Sequence, residues 1–257
     1  NNPSILLPPR AKVPEANVLV IESTYGNKSH RHLDDRTLML ERAIEDVAAR
    51  KGVLMLPVFA TERTQEILHE INGMLQARRV PVMPVFLDSP LAVKATQIFS
   101  KYPQYYRDEV RELWREHPHL FEFRHLKFTT SVEESKAINA VPAPKVILAG
   151  SGMSSGGRIL HHEKRYLPDA NSILLLTGYQ AAGSLGRRLL DKAREVRIHS
   201  EPVSVQAEIR VIDGYSAHAD EAQLLAFVDE MRDNLERVFV VQGESAAAMG
   251  FQQTIQD

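Results

Sequence analysis

An α/β fold with a mainly parallel sheet covered by helices is predicted by two features of the sequence pattern and one of the composition. Short apolar runs rich in β-branched residues alternate with longer stretches of helical spacing along most of the chain. From residue 196 that rhythm gives way to a strand-like alternation, which predicts a passage into a second unit. The 257 residues are 44% hydrophobic, enough to bury one large core or two modest ones.

Taken in order, Val18–Ile21 is expected as a strand and Leu33–Arg50 as an amphipathic helix. That helix opens on Asp34 and Asp35, whose charges suit a helix N-terminus, and Gly52 ends it. Strand Val53–Val58 leads to helix Thr61–Leu75, and strand Val82–Leu87 to helix Pro90–Lys101. The stretch from Tyr102 to Phe123, with the sole tryptophan Trp114, has charged and aromatic residues at helical spacing and is expected as a helical lid or crossover. Then come strand Lys127–Thr129, helix Val132–Asn139, strand Lys145–Leu148, a glycine-rich turn, helix Ile159–Arg165, strand Ser172–Thr177 and helix Leu185–Ala193. Alternation at Val203, Val205, Ala207, Ile209 and Val211 suggests antiparallel pairs; helix Asp220–Asn234 and strand Val238–Val241 follow. Both ends read as cuts within a longer chain, since residue 1 falls in a proline-rich connector and Asp257 closes an uncapped helical stretch.

Composition excludes several classes of chemistry. The absence of cysteine removes disulfides, thiolate nucleophiles and thiolate zinc sites, so a metal would need His, Asp or Glu. With 31 basic against 33 acidic residues, affinity for a polyanion must come from a local patch. No apolar run has membrane-spanning length and Asn1–Pro14 has no signal-peptide pattern, so the expected location is the cytoplasm, with no membrane partner.

Five segments place polar or glycine residues directly after an apolar strand, where open α/β sheets gather ligands, and they predict one shared cleft. They are Glu22–Gly26, Phe59–Gln65, Asp88–Ala92, Gly150–Arg158 and Gly178–Gly183. Gly152 to Gly157 has P-loop glycine spacing, but Arg158 and Ile159 stand where Lys and Ser or Thr are required. Backbone N–H groups of that turn would still suit a phosphate. Residues 156–197 hold eight Lys or Arg against four Asp or Glu, the best candidate for a backbone-binding patch. Gly214–Asp220 sets His218 and Asp220 in a turn before a helix, with Asp220 as its cap. His30-Arg-His-Leu-Asp-Asp35 imitates an H-x-H-x-D-H zinc signature, but it lacks the final histidine and sits at a helix start.

Together Glu22–Gly26, Arg63–Gln65, Asp88–Ala92, Gly150–Arg158 with His161 and His162, Gly178–Ala181, Ser216–Asp220 and Gly243–Glu244 resemble the β-CASP subgroup of metallo-β-lactamase-fold nucleases. The resemblance spans essentially the whole chain. It implies part of an αββα metallo-β-lactamase domain at 1–33 and 203–257, with a β-CASP domain at 34–202. It also implies RNA cleavage between them, with Glu22 and His218 catalytic: His218 protonating the leaving oxygen and Glu22 fixing its tautomer. Arg63, Ser89, Ser151, Ser154, Ser155, Arg158, His161, His162 and Gln180 would contact phosphates and sugar. Two zinc ions, roughly 3.5 to 4 Å apart, would lower the pKa of a bridging water.

Most zinc ligands of the family precede the motif of Glu22, and Gln242 stands at the position of a ligand histidine; Lys192 and Ser200 replace expected glycines. The expected activity is a zinc-dependent ribonuclease, this chain alone being inactive and weak in zinc. Its partners are single-stranded RNA and a second copy of the chain. The alternatives are a catalytically silent RNA-binding member and a DNA-directed relative.

Overall fold

The computed structural model describes residues 3–30 and 35–256. In chain order the elements are β1 (Val18–Glu22), α1 (Arg36–Arg50), β2 (Val53–Pro57), α2 (Arg63–Gln76), β3 (Val85–Asp88), α3 (Pro90–Lys101) and α4 (Asp108–Glu116). There follow β4 (Leu126–Phe128), α5 (Val132–Ala137), β5 (Lys145–Ala149), α6 (Ile159–Tyr166), β6 (Ile173–Leu176) and α7 (Leu185–Leu190). The chain continues through β7 (Glu195–Ile198), β8 (Glu201–Ser204), β9 (Glu208–Val211), α8 (Glu221–Asp229), β10 (Arg237–Val241) and α9 (Ser245–Gln256).

Six strands form one sheet in the order β4-β3-β5-β2-β6-β9, and every pairing in it is parallel. Its central strands are buried on both faces because successive residues serve opposite layers. Leu54, Leu56, Leu87 and Leu148 pack with Leu40, Ile44, Ile67 and Ile71 of α1 and α2. Val53, Met55, Ile147 and Leu174 pack on the other side with Ile159, Leu167 and Leu189. The α/β reading and its helix-covered parallel sheet are therefore observed. A second, two-stranded parallel sheet pairs β1 with β10, and Ile21, Leu224, Val228 and Phe251 form its own small core.

One pair of alternatives is decided and three local expectations are corrected. The stretch 102–123 is a crossover built into the core, not a lid, because Tyr106, Val110, Leu120 and Phe121 are buried against the α1–α2 layer. Only β7 and β8 pair antiparallel; β9 lies beyond residue 203 yet runs parallel to β6 at the edge of the large sheet. Helix α1 is stopped by Lys51 in the left-handed region at φ 56°, while Gly52 answers a different need. A Cβ on Gly52 would stand 2.0 Å from the Asn171 carbonyl oxygen, so no side chain fits there. Helix α2 begins two residues late because Glu62 adopts φ 64°.

Lys192 and Ser200, where glycine was expected, both have left-handed φ, 62° and 66°. The described part of α1 starts at Arg36. The expected opening at Leu33 and Asp34, and the centre of the His30–Asp35 imitation, lie outside the described residues.

Candidate functional site

The two sheets meet where their strands end. Parallel pairing sets Glu22 opposite Val241, so both strands release their chains at the same level. Ser23 and Thr24 then stitch the two turns together: Ser23 Oγ donates to the Val241 carbonyl at 2.9 Å, and Thr24 Oγ1 to the Gln242 carbonyl at 3.1 Å. The approach is so close that a Cβ on Gly243 would meet Ser23 Oγ at 2.3 Å.

His218 enters from the turn after β9. Asp220, two residues on, caps α8: its carboxylate accepts from Gln223 N at 3.0 Å, and Gln223 Oε1 accepts from Asp220 N at 3.1 Å. The other Asp220 oxygen accepts from His30 N at 3.1 Å. With its backbone fixed in this way, His218 sets Nδ1 2.7 Å from Glu22 Oε2. Burial opposes ionisation of Glu22, but hydrogen bonds from His218 and Thr24 outweigh it and bring the carboxyl down to about 2. A carboxylate accepts only, so Nδ1 carries the proton toward Glu22 and Nε2 is left for the cleft. The His218 side chain is 37% exposed, which gives that nitrogen access to a ligand.

The cleft in front of His218 has a volume of about 690 Å³. It gathers turns that follow four neighbouring strands of the large sheet, through Met153 after β5, Phe59 and Arg63 after β2, Tyr179 after β6, and Tyr215 after β9. Thr24 and Gln242 close it from the small sheet. Tyr179 and Glu244 are rim residues that the motif order flagged only as segments. Tyr179 Oη donates to Glu244 Oε1 at 2.6 Å, and Arg187 Nη1 reaches the same oxygen at 3.3 Å, so the rim is bridged from one sheet to the other.

The single shared cleft of the sequence reading is in fact divided. Asp88, the last residue of β3, lies across β5 from the cleft, and the Gly150–Arg158 turn separates the two sides. Met153 faces the His218 cleft, whereas Arg158, His161 and His162 line a second pocket of about 530 Å³ beside α5. Three N–H groups of that turn, which was expected to receive a phosphate, are spent internally. Ser151 N donates to the Gly156 carbonyl, Ser154 N to the Ser151 carbonyl and Ser155 N to Ser151 Oγ.

Several residues expected at the substrate serve as braces instead. Ser154 is 1% exposed and donates to Glu163, whose carboxyl burial pushes up to about 8. Gln180 Nε2 donates to the Gly152 and Gly178 carbonyls, each at 3.1 Å. His162 donates from Nε2 to Asp88 at 2.7 Å, and buried Arg63 pairs with Glu66. Ser89 caps α3 through the N–H of Ala92 and lines neither pocket, while Ser155 is exposed on the turn.

Among the described residues no three His, Asp or Glu side chains stand together as a metal cage. Glu22 holds one His218 nitrogen, and Gln242 offers a neutral amide on a backbone at φ 55°. The donors present do not fit a two-zinc centre.

The chain is similar to known proteins along most of its length. Residues 64–189 match the model of the Beta-Casp domain, and residues 202–257 that of the Zn-dependent metallo-hydrolase RNA specificity domain. It is 34% identical to Ribonuclease TTHA0252 of Thermus thermophilus over 95% of this chain and 55% of the relative. It is 31% identical to an RNase J-like protein of Methanocaldococcus jannaschii over 97% and 57%. It is also 31% identical to Transcription termination factor FttA of Methanosarcina mazei, over 93% and 38%. The chain thus spans between about a third and three fifths of the length of these curated relatives.

Proposed function

The chain belongs to the β-CASP family of metallo-β-lactamase-fold proteins, and from that footing we propose that it supplies the substrate-gripping and proton-handling side of a metal-dependent ribonuclease. One observation carries the reading: the Glu22–His218 pair, with Nε2 free, at the edge of a cleft where the two sheets meet. In this role the doubly protonated His218 ring delivers a proton from Nε2 to the leaving oxygen of a phosphodiester and returns to neutral imidazole, while Glu22 holds Nδ1–H and stabilises the cation before the transfer. Phe59, 47% exposed, and Tyr179 give the cleft aromatic surfaces that suit unpaired bases, which supports single-stranded RNA as substrate. Arg63 borders the same space, its charge already paired with Glu66.

Two zinc ions per complete centre belong to the same proposal, but no step is assigned to them because the donors described here do not hold them. The division 1–33, 34–202 and 203–257, a homodimer and a cytoplasmic location complete the reading. No described helix is long and apolar enough to cross a membrane.

The decisive experiment incubates the protein from its full reading frame with zinc and a labelled oligoribonucleotide, with an oligodeoxyribonucleotide of equal length as competitor. Cleavage that RNA competes away better than DNA is expected; stronger competition by DNA would reverse the substrate assignment. Gln242 favours a second reading, a silent RNA-binding member, in which the protein binds RNA without cutting it. A rise in cleavage on Gln242→His would reject that reading.

A further inference from the structure

The pocket beside α5 does not belong to the His218 cleft, and its chemistry is of one kind. Its walls carry Lys136, Asn139, Arg158, His161, Lys164 and Arg165, and among the described residues the carboxylates bonded to its lining side chains are Asp88 and Glu201. The Asp88 carboxylate is saturated by Thr129, Ser135, Arg158 and His162, all within 2.7 Å. At the rim Glu201 takes Lys164 at 2.6 Å, while exposed Lys136 and Arg165 have no carboxylate partner among the described residues.

Two histidines add to the pocket's character. The His161 ring stacks at 4.8 Å on His199, and burial, then His199 and His162, hold His161 below the usual histidine range, with Asp88 opposing and Lys164 assisting. His162 is 2% exposed and lines the pocket, and its Nδ1 has no partner among the described residues; because Nε2 gives its hydrogen to Asp88, Nδ1 donates to an anion only in the doubly protonated ring.

We propose that this pocket between α5 and α6 is a phosphate-binding site separate from the His218 cleft, taking the phosphoryl group of a nucleotide or of an RNA strand. Its volume of about 530 Å³ accommodates a nucleotide unit, and Lys136 with Arg165 supplies the uncommitted positive charge. The site stands on its own lining residues; only the assignment of its phosphate to an RNA strand rests on the ribonuclease reading.

The test titrates the full chain with inorganic phosphate at constant ionic strength and follows the histidine ring signals by NMR, assigned through single His→Gln variants. Saturable shifts at His161 and His199, with an upward move of the His161 titration midpoint, are expected. The Lys136→Ala, Arg165→Ala double variant should weaken binding about tenfold or more, and His218→Ala should leave it unchanged. Absence of saturable shifts at His161 and His199, or equal affinity in the double variant, would overturn the site. A short oligoribonucleotide that displaces the phosphate assigns it to a strand; phosphate binding without displacement assigns it to a free phosphorylated ligand. If the oligoribonucleotide binds nowhere, the ribonuclease reading falls while the phosphate shifts still uphold the pocket.

Discussion

Glu22 with His218, and Asp88 with His162, each bring a carboxylate oxygen within 2.7 Å of an imidazole nitrogen just beyond the end of a parallel strand. Their surroundings differ. The His218 side chain is 37% exposed and Glu22 21%, whereas His162 is 3% exposed and Asp88 fully buried. Asp88 receives four side-chain donors that hold it well below the carboxylate range in spite of burial, so the pair serves to pin β3, α5 and α6 together. Glu22 leaves one imidazole nitrogen free toward a cleft. The same chemical pair is thus a fastener where both partners are saturated and a proton-handling device where one nitrogen is kept available.

The largest expected effect breaks that contrast at the open pair. His218→Ala in the cleavage-competent protein should lower the rate of RNA cleavage roughly 10²- to 10⁴-fold, with an unfolding free energy changed by less than about 1 kcal/mol. Parallel initial-rate and urea-melt measurements check both halves. A large loss of stability with unchanged rate would make His218 another fastener.

At the closed pair the order reverses. Asp88→Ala strips Arg158 and His162 of their shared acceptor and should destabilise the fold by about 3–5 kcal/mol, read as a lower urea midpoint. If the melt is unmoved, the fastening role is wrong.

A smaller effect comes from Glu163, which follows His162 and shares its burial. Its carboxyl is raised from 4.5 to about 8, so the stabilisation from the protonated form is full below about 4.5 and is lost as pH rises through about 8. Glu163→Gln should flatten stability over that window by an amount on the order of a few kcal/mol, measured as the urea midpoint against pH. Glu22 has the opposite sign: its contribution is present above about 4.5 and is lost as pH falls through about 2.

How much of this was legible follows from distance along the chain. The sheet strands could be read because β2, β3, β5 and β6 are buried throughout, which leaves an unbroken apolar signature. Strand order could not: β5 lies between β3 and β2, and that placement sends the Asp88 turn away from the cleft shared by the turns after β5, β2, β6 and β9. Glu22 and His218 are 196 positions apart, and only the family resemblance paired them. The brace role of His162 did have a local signal. Ile159, His162, Glu163 and Leu167 follow the spacing of a buried helical stripe, so the neighbour of His161 was marked for the interior.

Asp220 gives the smallest expected effect and the sharpest division within the open pair. It touches neither Glu22 nor the cleft, yet it fixes the turn two residues after His218 by capping α8 and by accepting from His30 N. Asp220→Ala removes the reciprocal cap with Gln223 and should cost about 1 kcal/mol of stability. Asp220→Asn keeps one acceptor oxygen, enough for Gln223 N but not for His30 N as well, and should restore the cap's share of that loss. If the His218 imidazole depends on that turn for its register with Glu22, cleavage by Asp220→Ala will fall by more than the stability change explains, and Asp220→Asn will recover it. Equal rates in the two variants would instead show that the Glu22 contact alone orients the ring, and that the cap holds only the helix.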